Sequence, residues 1–177
     1  MNWPSATQIL KASGYYDEYV GNNSGPMQRG RLVVAACHIL GQKKELEPAW
    51  CDRHPECLPY LDVYRIFLSQ HRVQLLHFER EFRCEEERFV THPDQVMLLD
   101  DVEADVEIKT GALKLWVALQ TAAQVLAIGK RMKRFGLELI PGARPKLIPF
   151  PDPRDLDEFR IKARNWWVDA KYLGERE

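Results

Sequence analysis

The sequence predicts an α/β protein: a mixed β-sheet, made of a three-stranded antiparallel meander plus added strands, flanked by helices. Two observations carry this. Between residues 73 and 109, three runs rich in apolar and β-branched residues are separated by short turns, with side chains alternating at period two. On both sides lie segments whose apolar residues recur at helical spacing. At 177 residues the chain fits one domain, residues 1–177, with no internal repeat.

The elements follow in order. Ser5-Ala6-Thr7-Gln8 has the form of a capping box and opens a short helix that Gly14 closes. Gly21–Met27, with its Gly, Asn, Ser and Pro, reads as a loop. A helix is expected from about Gln28 to Leu40, apolar on more than one face and therefore deeply packed. Another runs from about Pro55 to Gln70, where Leu58, Leu61, Tyr64, Phe67 and Leu68 form a stripe. Val73–Cys84 reads as a strand with Leu76, Phe78, Phe82 and Cys84 on one face. Pro93–Leu99 is a second strand, Asp100-Asp101 a turn, and Val102–Lys109 a third strand. A long helix is expected from Lys114 to Arg134, burying Leu115, Leu119, Ala122, Ala123, Leu126 and Ala127. Leu137–Ile140 and Lys146–Phe150 are short strands around Pro141-Gly142. A last helix begins at Asp155 and turns Leu156, Phe159, Ala163, Trp166 or Trp167, and Ala170 inward.

Composition excludes several classes. The apolar fraction of 45% and charged fraction of 29% are those of a water-soluble globular chain. No secretory signal opens the sequence and no apolar run approaches membrane-spanning length, so a cytoplasmic protein without membrane contact is expected. Cys37, Cys51, Cys57 and Cys84 show no zinc-ligand spacing and read as reduced thiols. The formal charge of −1 is unevenly spread: residues 129–177 hold 12 Lys and Arg against 8 Asp and Glu. Such asymmetry suits phosphate contacts on one side and acidic ligands on the other.

The third strand carries the chemistry. Residues two apart share a face, so Ala104, Val106 and Ile108 make an ordinary core face while Asp105, Glu107 and Lys109 line the other. Two carboxylates and an ammonium are not what stability alone selects there. Asp94 begins the neighbouring strand of the meander and can approach Glu107. Carboxylates that converge repel each other, and a hard divalent ion with oxygen ligands relieves this; Mg²⁺ takes one or two carboxylates plus water and phosphate oxygens.

His92-Pro93-Asp94, Glu107-Ile108-Lys109-Thr110-Gly111 and Gln120 resemble, in order, the PD…ExK…Q signature of the PD-(D/E)XK nuclease superfamily. The chain is most similar to its RecB-like and phage-exonuclease branch. Pro4–Leu10 resembles an opening PS-x-T-x-IL segment, Arg29-Gly30 an RG helix, and Pro59–Leu68 a P-Y-L helix, so the resemblance extends from about residue 3 to 170. It implies a restriction-endonuclease-like core and a Mg²⁺- or Mn²⁺-dependent DNA nuclease that hydrolyses phosphodiester bonds in phage or bacterial recombination or repair. Asp94, Glu107 and the Ile108 carbonyl would hold the metal, with Glu79 as a further ligand. Lys109 would orient the attacking water, and Gln120 would fix Lys109 or a phosphate.

The sequence departs from the pattern in places. The branch often places a metal-binding His where this chain has Val34, with His38 and His92 as replacements. A tyrosine expected four residues after Gln120 is Gln124, and no late cysteines are present for an iron–sulfur cluster. Lys130, Arg131, Lys133 and Arg134 are candidate DNA phosphate contacts or simply cations favoured at a helix C-terminus. Trp166 and Trp167 are expected in the core. The other reading is an inactive nuclease-fold protein that acts through DNA, a protein partner or a homo-oligomer, such as a phage modulator of host defence.

Overall fold

A computed structural model of the chain describes residues 3–15 and 24–173. Helix α1 (Ala6–Ala12) opens on the anticipated capping box: the Ser5 hydroxyl accepts the Gln8 backbone N–H at 3.2 Å, and the Gln8 side-chain Oε1 accepts the Ser5 N–H at 2.7 Å. Helices α2 (Ser24–Gly41), α3 (Pro48–Arg53) and α4 (Leu58–Gln70) follow. Strand β1 (Val73–Phe78) leads to a small hairpin of β2 (Phe82–Cys84) and β3 (Phe89–Thr91). Then come β4 (Gln95–Leu99), β5 (Val102–Lys109), α5 (Val117–Ile128), β6 (Lys133–Glu138), β7 (Lys146–Pro149) and α6 (Arg154–Leu173).

The five-stranded sheet has the order β1-β4-β5-β6-β7. β1, β4 and β5 form the antiparallel meander, β6 runs parallel to β5 after the α5 crossover, and β7 returns antiparallel. Asp100 and Asp101 both have positive φ (50° and 68°), as a two-residue hairpin with the right twist requires. α2 and α4 cover one face, where Val33, Cys37, Leu61, Tyr64 and Phe67 pack on Met97, Ala104, Val106, Ile108 and Leu137. On the other side α1, α5, α6 and the hairpin share a second core around Ile9, Leu10, Phe89, Leu119, Ala123 and Phe159. The mixed sheet flanked by helices is therefore as anticipated.

Several boundaries differ. Of the expected loop Gly21–Met27, Ser24–Met27 is helical, because Pro26 falls in the first turn, where a missing N–H costs nothing; residues 21–23 lie outside the described residues. Helix α3 was not anticipated, and the Pro55 segment starts as a single 3-10 turn, Pro55–Cys57. The strand expected over Val73–Cys84 breaks at Glu79, which adopts φ 41° and gives its N–H to the Pro93 carbonyl. A register shift between Leu75 and His77 lets Leu75 and Phe78 both pack inward, leaving Leu76 exposed. The helix expected from Lys114 to Arg134 is shorter at both ends. Leu115 lies before it in an exposed turn, and Gly129, at φ 71°, terminates it with an N–H to the Val125 carbonyl. Residues 133 and 134 accordingly begin β6 instead of ending a helix. No described helix is long and apolar enough to cross a membrane.

Candidate active site

The two faces of β5 are as different as its alternation requires. Ala104, Val106 and Ile108 enter the α2–α4 core, and Asp105, Glu107 and Lys109 take the opposite face. Glu107 is only 2% exposed, yet both its oxygens are satisfied. Oε1 accepts from Lys109 Nζ at 2.7 Å and Gln120 Nε2 at 2.6 Å, and Oε2 accepts from Gln124 Nε2 at 2.8 Å. Gln120 and Gln124 are one turn apart on α5, so the crossover helix presents two amides to one carboxylate. Lys109 Nζ also donates to Gln120 Oε1 at 3.3 Å and stands 5.1 Å from the centre of the Trp116 ring.

Asp94 reaches the same end of β5 from the start of β4. Its Oδ2 accepts the Ile108 N–H at 2.8 Å. Burial, then the charge of Glu107, pushes its carboxyl well above the usual range, although Lys109 and the Ile108 N–H act the other way. Asp105 is fully buried and neither carboxylate oxygen has a hydrogen-bond partner. Burial, then the charges of Glu107 and Asp94, raises it well above a normal carboxyl, against the opposing charge of Arg134. Arg134 is its ladder neighbour on β6, but the guanidinium turns away to the Ala118 and Asp152 carbonyls and Asp155 Oδ2.

This environment fits a hard divalent cation. The charge of Glu107 adds to the cost of ionising Asp94 and Asp105, and a cation held at Asp94 and Glu107 would lower that cost. Among the described residues, no three His, Cys, Asp or Glu side chains stand together as a ready cage. The donor set is therefore of the type that relies on one or two carboxylates with water and backbone oxygen.

The structure brings Asp94, Glu107, Ile108, Lys109 and Gln120 together. Glu79 gives its N–H to the Pro93 carbonyl beside Asp94 and its charge adds to the rise of the Asp94 carboxyl, but its side chain is exposed and, among the described residues, it forms no three-acid group with Asp94 and Glu107. Val34 is packed in the α2–α4 core at 7% exposure. His38 stacks on Phe78 at 3.9 Å and meets Gln42 at 2.9 Å, while exposed His92 lies 3.7 Å from Glu81. Among the described residues neither histidine forms a three-ligand group with Asp94 and Glu107. Trp167 is partly buried, its indole N–H directed at the Glu87 and Arg88 carbonyls.

The basic run lies at the other end of β5. Lys130 pairs with Glu103 at 3.4 Å, and the six residue steps from Glu103 to Lys109 span ~20 Å of strand. Lys130, Arg131 and Lys133 are exposed on a cleft of about 1100 Å³ also lined by Val102, Leu126 and Phe150. Arg134 is withdrawn as a phosphate contact: it is buried and its donors are used inside the protein.

Sequence reasoning missed Gln124, which it treated only as a departure from tyrosine; its spacing of four from Gln120 was the available signal. It also assigned no part to Trp116, whose contact with Lys109 arises only when the turn before α5 folds back over the strand.

No family model matches the sequence, and no curated protein matches it. Among solved structures, the alkaline exonuclease LHK-Exo from Laribacter hongkongensis is similar over nearly the whole chain. Its complex with dAMP superposes with a TM-score of 0.52 at 14% identity, covering 97% of this chain and 89% of that one. A second structure of the same exonuclease has a TM-score of 0.50 at 14% identity, covering 96% and 88%.

Proposed function

We propose that this chain, which has the PD-(D/E)XK nuclease fold seen in LHK-Exo, is a divalent-metal-dependent nuclease that hydrolyses phosphodiester bonds in DNA. The observation that carries the reading is the network at the end of β5, where Asp94, Glu107, Lys109 and Gln120 converge in the order in which they stand in the chain. Asp94, Glu107 and the Ile108 carbonyl would hold Mg²⁺ or Mn²⁺. When bound, such an ion supplies a water acidic enough to attack at neutral pH and offsets charge on the phosphate. The four free thiols suit a reducing cell interior, where phage or bacterial DNA recombination or repair takes place.

The protein's own groups do the positioning. The Ile108 N–H orients the Asp94 carboxylate, and Gln120 and Gln124 fix the plane of Glu107. Lys109 keeps an ammonium beside Glu107, placed to orient a water and to stabilise charge on a phosphoryl oxygen. The packed α5 crossover keeps bulk water from the inner side of the carboxylates, which strengthens each of these interactions.

A second reading, a nuclease-fold protein that binds DNA or a protein partner without turnover, is favoured by one observation. The three donors on Glu107 occupy both oxygens of the carboxylate that a metal needs. Incubating end-labelled single- and double-stranded DNA with the protein in Mg²⁺ or Mn²⁺, with a chelator control, separates the two. Metal-dependent cleavage that Glu107→Gln abolishes supports the enzyme. DNA binding without cleavage in either metal leaves the second reading.

A further inference from the structure

Leu115 is 96% exposed, the most exposed large apolar side chain among the described residues. A single exposed leucine is ordinary on a protein surface. This one differs because the turn that carries it is fixed on every side. Leu113 sits on Gly136 so closely that a Cβ there would come within 2.6 Å of it, and the Leu113 N–H donates to Glu138 Oε1 at 2.6 Å. The Lys114, Leu115 and Trp116 carbonyls accept the N–H groups of Val117, Ala118 and Gln120 at 3.0, 3.2 and 3.0 Å. Trp116, the next residue, lies against Lys109. Leu115 is thus held out into solvent by a hydrogen-bonded, packed turn, one residue from a side chain that touches the candidate catalytic lysine.

We propose that Leu115 packs against a nucleobase of the DNA strand in the site, next to the phosphate being cleaved. This rests on the nuclease reading above and deepens it. A phosphate engaged at Lys109 brings its attached nucleoside to the rim of the site, and an apolar side chain there offers the base a surface in place of its stacked neighbour. Such a contact is indifferent to base identity, since every base has an apolar face. Leu115 is therefore a substrate-positioning residue that favours an unpaired or frayed strand.

The test crosses protein variants with substrate variants. Wild type, Leu115→Ala and Leu115→Met are assayed on oligonucleotides with one abasic nucleotide moved stepwise past the cleavage position. Wild type should show about a tenfold rise in KM when the abasic nucleotide occupies one particular position, the fold-change expected when one well-packed apolar group loses its partner. Leu115→Ala should show a similar rise on intact DNA and no further rise on that abasic substrate, while Leu115→Met retains the wild-type pattern. Equal KM for wild type and Leu115→Ala on every substrate overturns the proposal and leaves the nuclease reading standing. A Leu115→Ala protein whose KM is unchanged but whose oligomeric state shifts overturns it in favour of a protein contact. A wild type that neither cleaves nor binds DNA sinks the nuclease reading and this proposal with it.

Discussion

The two faces of β5 are made by the same eight residues and the same hydrogen-bond ladders, yet they do opposite things for the protein. On one face Ala104, Val106 and Ile108 are buried among α2 and α4 residues, where each apolar group removed from water stabilises the fold. On the other, Asp105 and Glu107 are just as deeply buried and carry carboxyl groups that burial penalises. Glu107 offsets part of that cost with three donors, and Asp105 has none. A strand selected only for stability would not place its second face in this state. The difference makes the polar face the candidate site, on a strand whose other face is anchored in the core.

The comparison breaks most sharply under substitution at adjacent positions. Glu107→Gln should reduce metal-dependent DNA cleavage by at least about a hundredfold while near-UV circular dichroism stays native. Val106→Ala should lower stability by about 2 kcal/mol, with cleavage per folded molecule unchanged. Reversed outcomes, with activity following Val106 and stability following Glu107, would reverse the assignment of the two faces.

Val34 tests whether the apolar face has closed over the position where the resemblance implies a metal-binding His. Because Val34 is packed against that core, Val34→His should destabilise the protein by about 1–3 kcal/mol through overpacking and a buried polar ring. Calorimetric Mn²⁺ affinity should not rise. Tighter Mn²⁺ binding at unchanged melting temperature would show that the pocket is still open.

Asp105 sharpens the comparison through pH. Its carboxyl is raised in the folded state, so above about pH 4, where the unfolded chain gives up this proton, the native protein holds more protons than the unfolded one. That contribution therefore makes stability fall as pH rises, until the folded group itself ionises. Asp105→Asn removes the titration. In metal-free buffer the stability of the variant relative to wild type should increase as pH rises from about 4 to about 7, as measured by urea unfolding. A constant difference would mean that Asp105 has an ionised partner in solution.

The smallest effect is expected at the far end of the strand. Replacing Lys130, Arg131 and Lys133 together with Ala should weaken DNA binding without regard to sequence, and should reduce the salt slope by about 0.7–0.9 for each phosphate that is no longer neutralised. An unchanged slope would confine DNA to the Glu107 end of β5.

The period-two alternation of Val102–Lys109, the Asp100-Asp101 turn and the capping box at Ser5 are local properties, and local sterics and hydrogen bonding decide them. For that reason the meander, the sharing of one face by Asp105, Glu107 and Lys109, and the approach of Asp94 were all legible in the sequence. Gly129 could have been read as the end of α5, but a glycine inside a helical pattern does not announce whether its backbone will turn left-handed. Only the tertiary structure decided that Arg134 turns inward to Asp155 while its three basic neighbours stay exposed, because that depends on where α6 begins. It alone decided that the Glu79 side chain is exposed, since one left-handed residue there redirects the chain into the hairpin. The same holds for Gln124, Trp116 and Leu115. Their positions depend on how the crossover helix and the turn before it settle against β5 and β6, a packing that no local pattern encodes.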